Sequence, residues 1–390
     1  MPSGTRPRVA RGAHRQFRGD PRSIPRKKIR YAVVGLGHIA QVAVLPAFSH
    51  ARRNSALAAL VSDSPDKLKK LGRRYGVEKL YRYADIDDLS RSGDIDAVYL
   101  ALPNSMHEDF TIRAARAGLH VLCEKPMAMT TAGCKRMIEC ARDHRVKLMV
   151  AYRLHFERGN LAATEIARSG KLGDLRFFSS QFSMQVRRGN LRLSAAAGGG
   201  PLYDIGIYCM NAARAVFAAE PTEVLAATAT HSDPRFNEVP ETVAALLKFP
   251  QQRLASFTCS FGAADRSVYE IVGTKGSITL DPAYEYGDGV EYELRIGGRT
   301  RYRRFAHSDQ FAPELLYFSD CILRNRDPEP SGEEGMADVR VIEALNQSIR
   351  TGKCVPLSPM SRRRLPTMQQ EIRRRNVRPP QLVRVQPAAL

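Results

Sequence analysis

Tryptophan is absent from the 390 residues. Also absent is any uninterrupted apolar run near the roughly 18 residues that a membrane helix needs, so no membrane partner is expected. The arginine-rich N-terminus has no apolar segment behind it, and a secretory signal is not expected. The seven cysteines (Cys123, Cys134, Cys140, Cys209, Cys259, Cys321 and Cys354) are odd in number and form no CxxC pair. Neither a disulfide framework nor a metal site is expected from them. Reduced thiols and a cytoplasmic location are.

Acidic residues are scarce at both ends. The formal net charge is +20, but residues 1–30 hold ten basic side chains against the single acid Asp20, and residues 358–390 hold eight arginines against Glu371. The body between them is close to neutral. Both ends are rich in proline and poor in aromatics, so they are expected to fold poorly alone, as a basic arm over 1–27 and a disordered tail over 358–390. Solvated or partner-draped arms and contact with an anionic surface both remain open. The interleaved aromatics of a base-stacking platform are missing, and nucleic acid is not expected as a partner.

What is present is ordinary for two packed domains: 43% hydrophobic residues and no internal repeat. From Lys28, short apolar runs at Ile29–Val34, Leu57–Val61, Ala97–Leu102, His120–Cys123 and Lys147–Ala151 alternate with helical stretches such as Asn104–Ala117 and Thr130–His144. That alternation predicts a parallel sheet covered on both faces, with ligands at the carboxyl ends of its strands. After about residue 152 the pattern becomes a series of alternating runs, from Leu175–Val186 to Tyr292–Ile296, with helices near 156–169, 310–324 and 336–350. An open, mainly antiparallel sheet is expected there. Its uncovered face predicts a homodimer or homotetramer through the sheet.

Five motifs point to chemistry. Gly35-Leu36-Gly37-His38-Ile39-Ala40 follows the first strand: Gly35 permits a tight turn, Gly37 lets a pyrophosphate approach, and Ala40 allows close helix packing. The alternative is a tight turn without a ligand. The second strand ends at Ser62, with Lys67 in the first turn of the next helix. A serine and a cation suit the 2′-phosphate of NADP, whereas Asp63 would favour NAD if it pointed inward; NADP is preferred. Ser64 and Pro65 read as the N-cap and first residue of that helix.

Pro103-Asn104 closes the strand Ala97–Leu102, where Asn104 either caps a helix or faces the ligand, and a neutral His107 is placed toward the cofactor. Glu124-Lys125-Pro126 at a buried strand end is costly without partners. It is read either as a surface ion pair or as an ammonium beside a reacting hydroxyl. Finally, Gly198-Gly199-Gly200 precedes Asp204 and Tyr208, four apart and so on one helix face. Gly206 between them leaves a groove for another surface or for a nicotinamide. Tyr208 is a base near neutral pH only beside a cation, for which Lys125 is the candidate.

Taken in order, these residues resemble the glucose–fructose oxidoreductase / inositol dehydrogenase / rhizopine-catabolism (Gfo/Idh/MocA) family from about Lys28 to Leu357. Tyr208, where most members have histidine, resembles the glucose–fructose oxidoreductase branch, as do Tyr152-Arg153 and the stretch from Gly332 to Arg340. Asn190-Leu191-Arg192, without the branch's Trp-Arg pair, is more like sugar dehydrogenases of the family. The resemblance implies an α/β protein: a Rossmann dinucleotide-binding domain over 28–152 and an α+β substrate and oligomerisation domain over 153–357. It implies catalysis by Lys125, Asp204 and Tyr208. Asn104, His107, Glu124 and Arg153 would line the nicotinamide, with Gly35, Leu36, Gly37, His38, Ile39, Ser62, Lys67 and Pro103 along the rest of the cofactor. Arg192 would join Lys125, Asp204 and Tyr208 around the substrate. The expected activity is NADP-dependent hydride transfer with a sugar or polyol hydroxyl, favouring a cyclic aldose oxidised at C1 to a lactone, with a cofactor that never leaves as a variant. A dinucleotide-binding, sugar-sensing regulator without catalysis is the alternative.

Overall fold

A computed structural model describes residues 28–91, 93–360, 364–378 and 380–387. The basic arm expected over 1–27 lies outside the described residues. Six parallel strands form the first sheet: β1 (Ile29–Val34), β2 (Ser55–Val61), β3 (Lys79–Tyr81), β4 (Ala97–Leu100), β5 (His120–Glu124) and β6 (Leu148–Ala151). Their order is β3-β2-β1-β4-β5-β6. The direction of winding reverses between β1 and β4, which opens a crevice at their carboxyl ends. β4 and β6 are buried throughout and β1 nearly so, which is why they read as continuous apolar runs.

The connecting helices obey local chemistry. A π-helical stretch, Ala40–Val44, runs into α1 (Leu45–Ala47). α2 (Pro65–Tyr75) starts with proline after Ser64 and stops at left-handed Gly76. α3 (His107–Arg116) follows the fourth strand, and α4 (Thr131–Asp143) is capped by Thr130, whose hydroxyl accepts from the Gly133 amide.

The second sheet begins after α5 (Arg158–Arg168) with β7 (Leu175–Ser183). A π-helical turn, Leu202–Gly206, then leads into α6 (Ile207–Phe217). β8 (Glu223–Ala229), β9 (Thr242–Phe249), β10 (Arg253–Ser260), β11 (Arg266–Gly273), β12 (Gly276–Leu280), β13 (Glu291–Ile296) and β14 (Arg299–Arg304) follow. α7 (Phe311–Leu323), α8 (Gly332–Thr351) and the short β15 (Val355–Pro356) complete the fold. The sheet order is β14-β13-β12-β11-β7-β10-β9-β8-β15, antiparallel except where β7 meets β10. This is the open, mainly antiparallel sheet that the alternating pattern predicts.

α5, α6 and α8 pack against one face of this sheet. On the other, Phe177 pairs with Leu254 and Leu246 with Leu225 across neighbouring strands, and all four remain 37–43% exposed. α8 starts four residues before the expected 336 because Ser331 caps it, its hydroxyl accepting from the Glu334 amide.

Two parts depart from the expected partition. α7 belongs by sequence to the second domain, yet its Phe311, Leu315, Leu316 and Phe318 share a core with Tyr31, Val33 and Tyr99 of the first. The Tyr31 and Ser319 hydroxyls are 2.8 Å apart, and Asn54 Nδ2 donates to the Leu316 carbonyl at 2.9 Å. The described part of the tail expected to be disordered is docked instead. Val383 is buried in that same core, and Gln370 is buried against Glu329. The segment supplies too little apolar surface to fold alone but finds a preformed groove, where its backbone groups gain partners.

Candidate active site

The glycine turn opens the site. Gly35 has φ +93°, and a Cβ there would fall 2.4 Å from the Ala101 carbonyl oxygen, so the fourth strand's exit requires glycine at this point. A Cβ at Gly37 would meet nothing within 4 Å, leaving the backbone edge open toward a cleft of about 830 Å³. That cleft runs from the turn, past Ser62 and Lys67, to Tyr208 and Asp204 on the second domain. Its size, its exposed glycine edge and the cation at its far end fit an extended, multiply anionic dinucleotide.

At the far end, buried Ser62 accepts a hydrogen bond from the Ser64 amide at 3.2 Å, and burial lowers the Lys67 ammonium pKa. Asp63 is turned to Tyr83, accepting from its amide at 3.0 Å, and Tyr83 itself lines the cleft. The carboxylate that would have favoured NAD is thereby engaged elsewhere.

At the other end the groups converge from both domains. Lys125 Nζ donates to the Asp204 carbonyl at 2.7 Å and to its Oδ1 at 3.0 Å. Asp204 Oδ2 accepts from Arg192 Nε at 2.5 Å. Burial alone would raise the Asp204 pKa, but Arg192 and Lys125 outweigh it and hold the carboxyl well below its usual range. Burial would lower the Lys125 pKa; Asp204, Tyr208 and Glu124 reverse that, and the net shift is upward. Lys125 is thus a buried, permanently charged ammonium at neutral pH.

Its Nζ sits 4.9 Å from the centre of the Tyr208 ring. The hydrogen bond to the phenolic oxygen comes from a different cation, Arg153 Nε, at 3.2 Å. The expectation that the lysine would meet that oxygen is corrected to this extent: the lysine flanks the ring, and the arginine holds the hydroxyl. Arg153 is fixed in turn by the Gln310 side chain and the Tyr284 carbonyl, two partners with no local sequence signature.

The remaining expected residues divide. Leu36, His38, Ile39, Pro103, Asn104 and Glu124 all line the cleft. Asn104 does not cap a helix; its Nδ2 donates to the Gly198 carbonyl at 2.7 Å and ties the two walls together. Glu124 accepts from the Tyr99 hydroxyl at 2.9 Å, and burial raises its pKa. His107 is the exception. It is fully buried away from the cleft, with its ring nitrogens 2.7 Å from the Pro126 carbonyl and 3.0 Å from the Leu102 carbonyl. The first turn of α3 rotates it inward, so it braces the strand ends that carry Asn104 and Lys125 rather than touching a ligand.

Of the two uses expected of Gly206, it serves the approach of another surface: a Cβ there would meet Cys259 Sγ at 3.0 Å and Phe257 at 3.3 Å, where α6 presses on β10. One group escaped sequence reasoning entirely. Glu314 on α7 is fully buried with neither carboxylate oxygen hydrogen-bonded among the described residues. Burial, with Glu124 nearby, raises its pKa well above the usual carboxyl value. The described residues contain no cluster of metal-ligating side chains and no helix long and apolar enough to cross a membrane.

Comparison with known proteins agrees with this architecture. Residues 29–152 match the family model GFO_IDH_MocA, described as an oxidoreductase family with an NAD-binding Rossmann fold, and residues 160–279 match the GFO/IDH/MocA C-terminal domain. The chain is 29% identical over 336 residues to a D-xylose 1-dehydrogenase [NADP(+)] of Haloarcula marismortui, covering 84% of this chain and 93% of that one. The crystal structure of an aldose-aldose oxidoreductase from Caulobacter crescentus complexed with glycerol superposes with a TM-score of 0.81 at 39% identity, over 85% of this chain and 100% of that one. A 3-ketoreductase from Actinomadura kijaniata in complex with NADP and TDP-benzene gives a TM-score of 0.76 at 26% identity, over 83% and 98%.

Proposed function

The chain belongs to the Gfo/Idh/MocA oxidoreductase family, and we propose that it oxidises a cyclic aldose at C1 to the lactone with NADP as cofactor. It is an enzyme acting on CH–OH groups of sugars or polyols. The observation that carries the reading is the meeting of Lys125, Arg153 and Tyr208 in one cleft with the Gly35–Gly37 turn.

Bound NADP supplies a two-electron acceptor for the hydride that leaves the substrate carbon. The chain's own residues handle the proton. Tyr208 Oη, hydrogen-bonded by Arg153 Nε and with the Lys125 ammonium over its ring, takes it from the substrate hydroxyl. The Lys125 ammonium also stabilises negative charge developing on the substrate oxygen. Asp204 keeps Lys125 charged and aimed, while Arg192, on the other carboxylate oxygen, borders the sugar.

The NADP preference is supported by Ser62 and Lys67 and by Asp63 being occupied with Tyr83. The aldose-aldose relative supports the version in which a second sugar reoxidises the retained cofactor. Seven unpaired cysteines suit a reducing cytosol. Three arginines of the described tail, Arg373, Arg374 and Arg384, are engaged within the chain. A sensor would need no buried lysine–carboxylate–arginine set beside a phenol.

The test is absorbance of the nicotinamide band on adding aldoses to NADP-loaded protein. Reduction is expected with the unaltered chain. Lys125→Ala should lower kcat by about a thousandfold while leaving NADPH affinity within about threefold. Turnover retained in that variant rejects the lysine's role, and no reduction by any aldose or polyol rejects the reaction.

A further inference from the structure

The last described residues lie beyond residue 279, where the match to the family's C-terminal domain model ends. From the Gln370–Glu329 contact the chain crosses the start of α7, where the Asp309 amide donates to the Arg374 carbonyl at 3.1 Å and Arg374 reaches the His50 carbonyl at 3.2 Å. It then reaches the nucleotide domain. Gln41, fully buried one residue beyond the glycine turn's Ala40, receives the Val383 amide at 2.8 Å and donates to the Val383 carbonyl at 3.0 Å. The same Gln41 amide nitrogen donates to the Leu36 carbonyl within the turn at 3.0 Å. Arg74 of α2 holds the Gln381 carbonyl at 2.6 Å, and Arg384 pairs with Asp66. Pro387 lines the cleft itself.

Two features of this course are hard to explain as simple anchoring. The strap is stapled to the phosphate-binding turn through one buried glutamine. It also delivers a guanidinium to Asp66, the acid beside Lys67 in the first turn of α2. A carboxylate there opposes a dianionic 2′-phosphate; an arginine laid on it removes that opposition and keeps further N–H donors free to face an anion.

We propose that the C-terminal strap, residues 381–387, is part of the cofactor site, with Arg384 a determinant of NADP over NAD and the strap as a whole slowing release of the nucleotide. The proposal rests on the NADP reading above and adds residues outside the family's match. Arg384 is 66% exposed, so its replacement leaves the core intact.

Binding is read by the fluorescence of NADPH and of NADH on the full chain, which has no tryptophan to interfere. Arg384→Glu should raise the NADPH dissociation constant about tenfold and the NADH constant less than about twofold, and Arg384→Ala should give a smaller loss in the same direction. A chain ending at Pro380 should release NADPH at least about tenfold faster. Equal losses for both nucleotides, or none, overturn the assignment of Arg384, and unchanged release from the shortened chain overturns the strap. Failure of the unaltered chain to bind either nucleotide overturns the oxidoreductase reading itself, a result the variants cannot mimic.

Discussion

Asp204 accepts from two cations at once, and this decides what Lys125 can be at a given pH. The carboxylate is the main reason that a buried ammonium keeps a raised pKa despite its desolvation. Removing the charge leaves burial in command, and burial favours the neutral amine. In Asp204→Asn the Lys125 pKa therefore falls, and the alkaline limb of kcat/KM should move to lower pH by about one unit or more. A pH–rate profile of the variant checks this. A limb that stays in place would mean that Tyr208 and Glu124 suffice to keep the lysine charged. The residue types of this site were legible because glycine, lysine, aspartate and tyrosine at these spacings each have a specific use. Their mutual aim was not. Whether Asn104 caps its own helix or bonds Gly198, and whether His107 faces in or out, depends on a rotation of the first turn of α3 that neighbouring residues do not encode. Glu314 left no signal, since a carboxyl amid apolar residues on a helix reads as any amphipathic position.

Tyr208 reaches the cleft because α6 enters through a π-helical turn that presses Gly206 onto β10. A methyl group there must displace Cys259 Sγ or the Phe257 ring, both buried and closely packed. Gly206→Ala should cost about 1–3 kcal/mol in urea unfolding and lower kcat by tilting the phenol two residues on. Unchanged stability would show that the sheet gives way instead. The strands and helices on either side were readable from their periodicity, because burial on both faces, as in β4, and on one, as in β9, leave different patterns. Placement across domains was not readable in the same way. α7 is an ordinary apolar helix in sequence; only the Tyr31–Ser319 and Asn54–Leu316 contacts reveal which domain it closes. The tail misled for a related reason: composition reports whether a segment can fold by itself, not whether a groove awaits it.

The whole molecule leaves one large surface unexplained by its own chain. Phe177, Leu254, Leu246 and Leu225 form a row across β7, β10, β9 and β8, each exposed by more than a third on the face away from the helices. Single exposed leucines are common, but two cross-strand pairs, Phe177–Leu254 and Leu246–Leu225, offset by two residues between β10 and β9, make an apolar patch of the kind that a second copy covers. A stable interface requires burial of roughly 1,000 Å² or more. Sedimentation of the purified protein should show a dimer or a dimer of dimers. Replacing Leu246 and Leu254 together with glutamate should weaken that association by about two orders of magnitude, since each charge would be desolvated in the interface. The separated protomer should still bind NADPH and turn over, since Gly35, Lys67, Lys125 and Tyr208 line one cleft within the protomer. A doubly substituted chain that sediments as before shows that the copies meet elsewhere. One that dissociates and loses nucleotide together shows that the neighbour's chain completes the cleft.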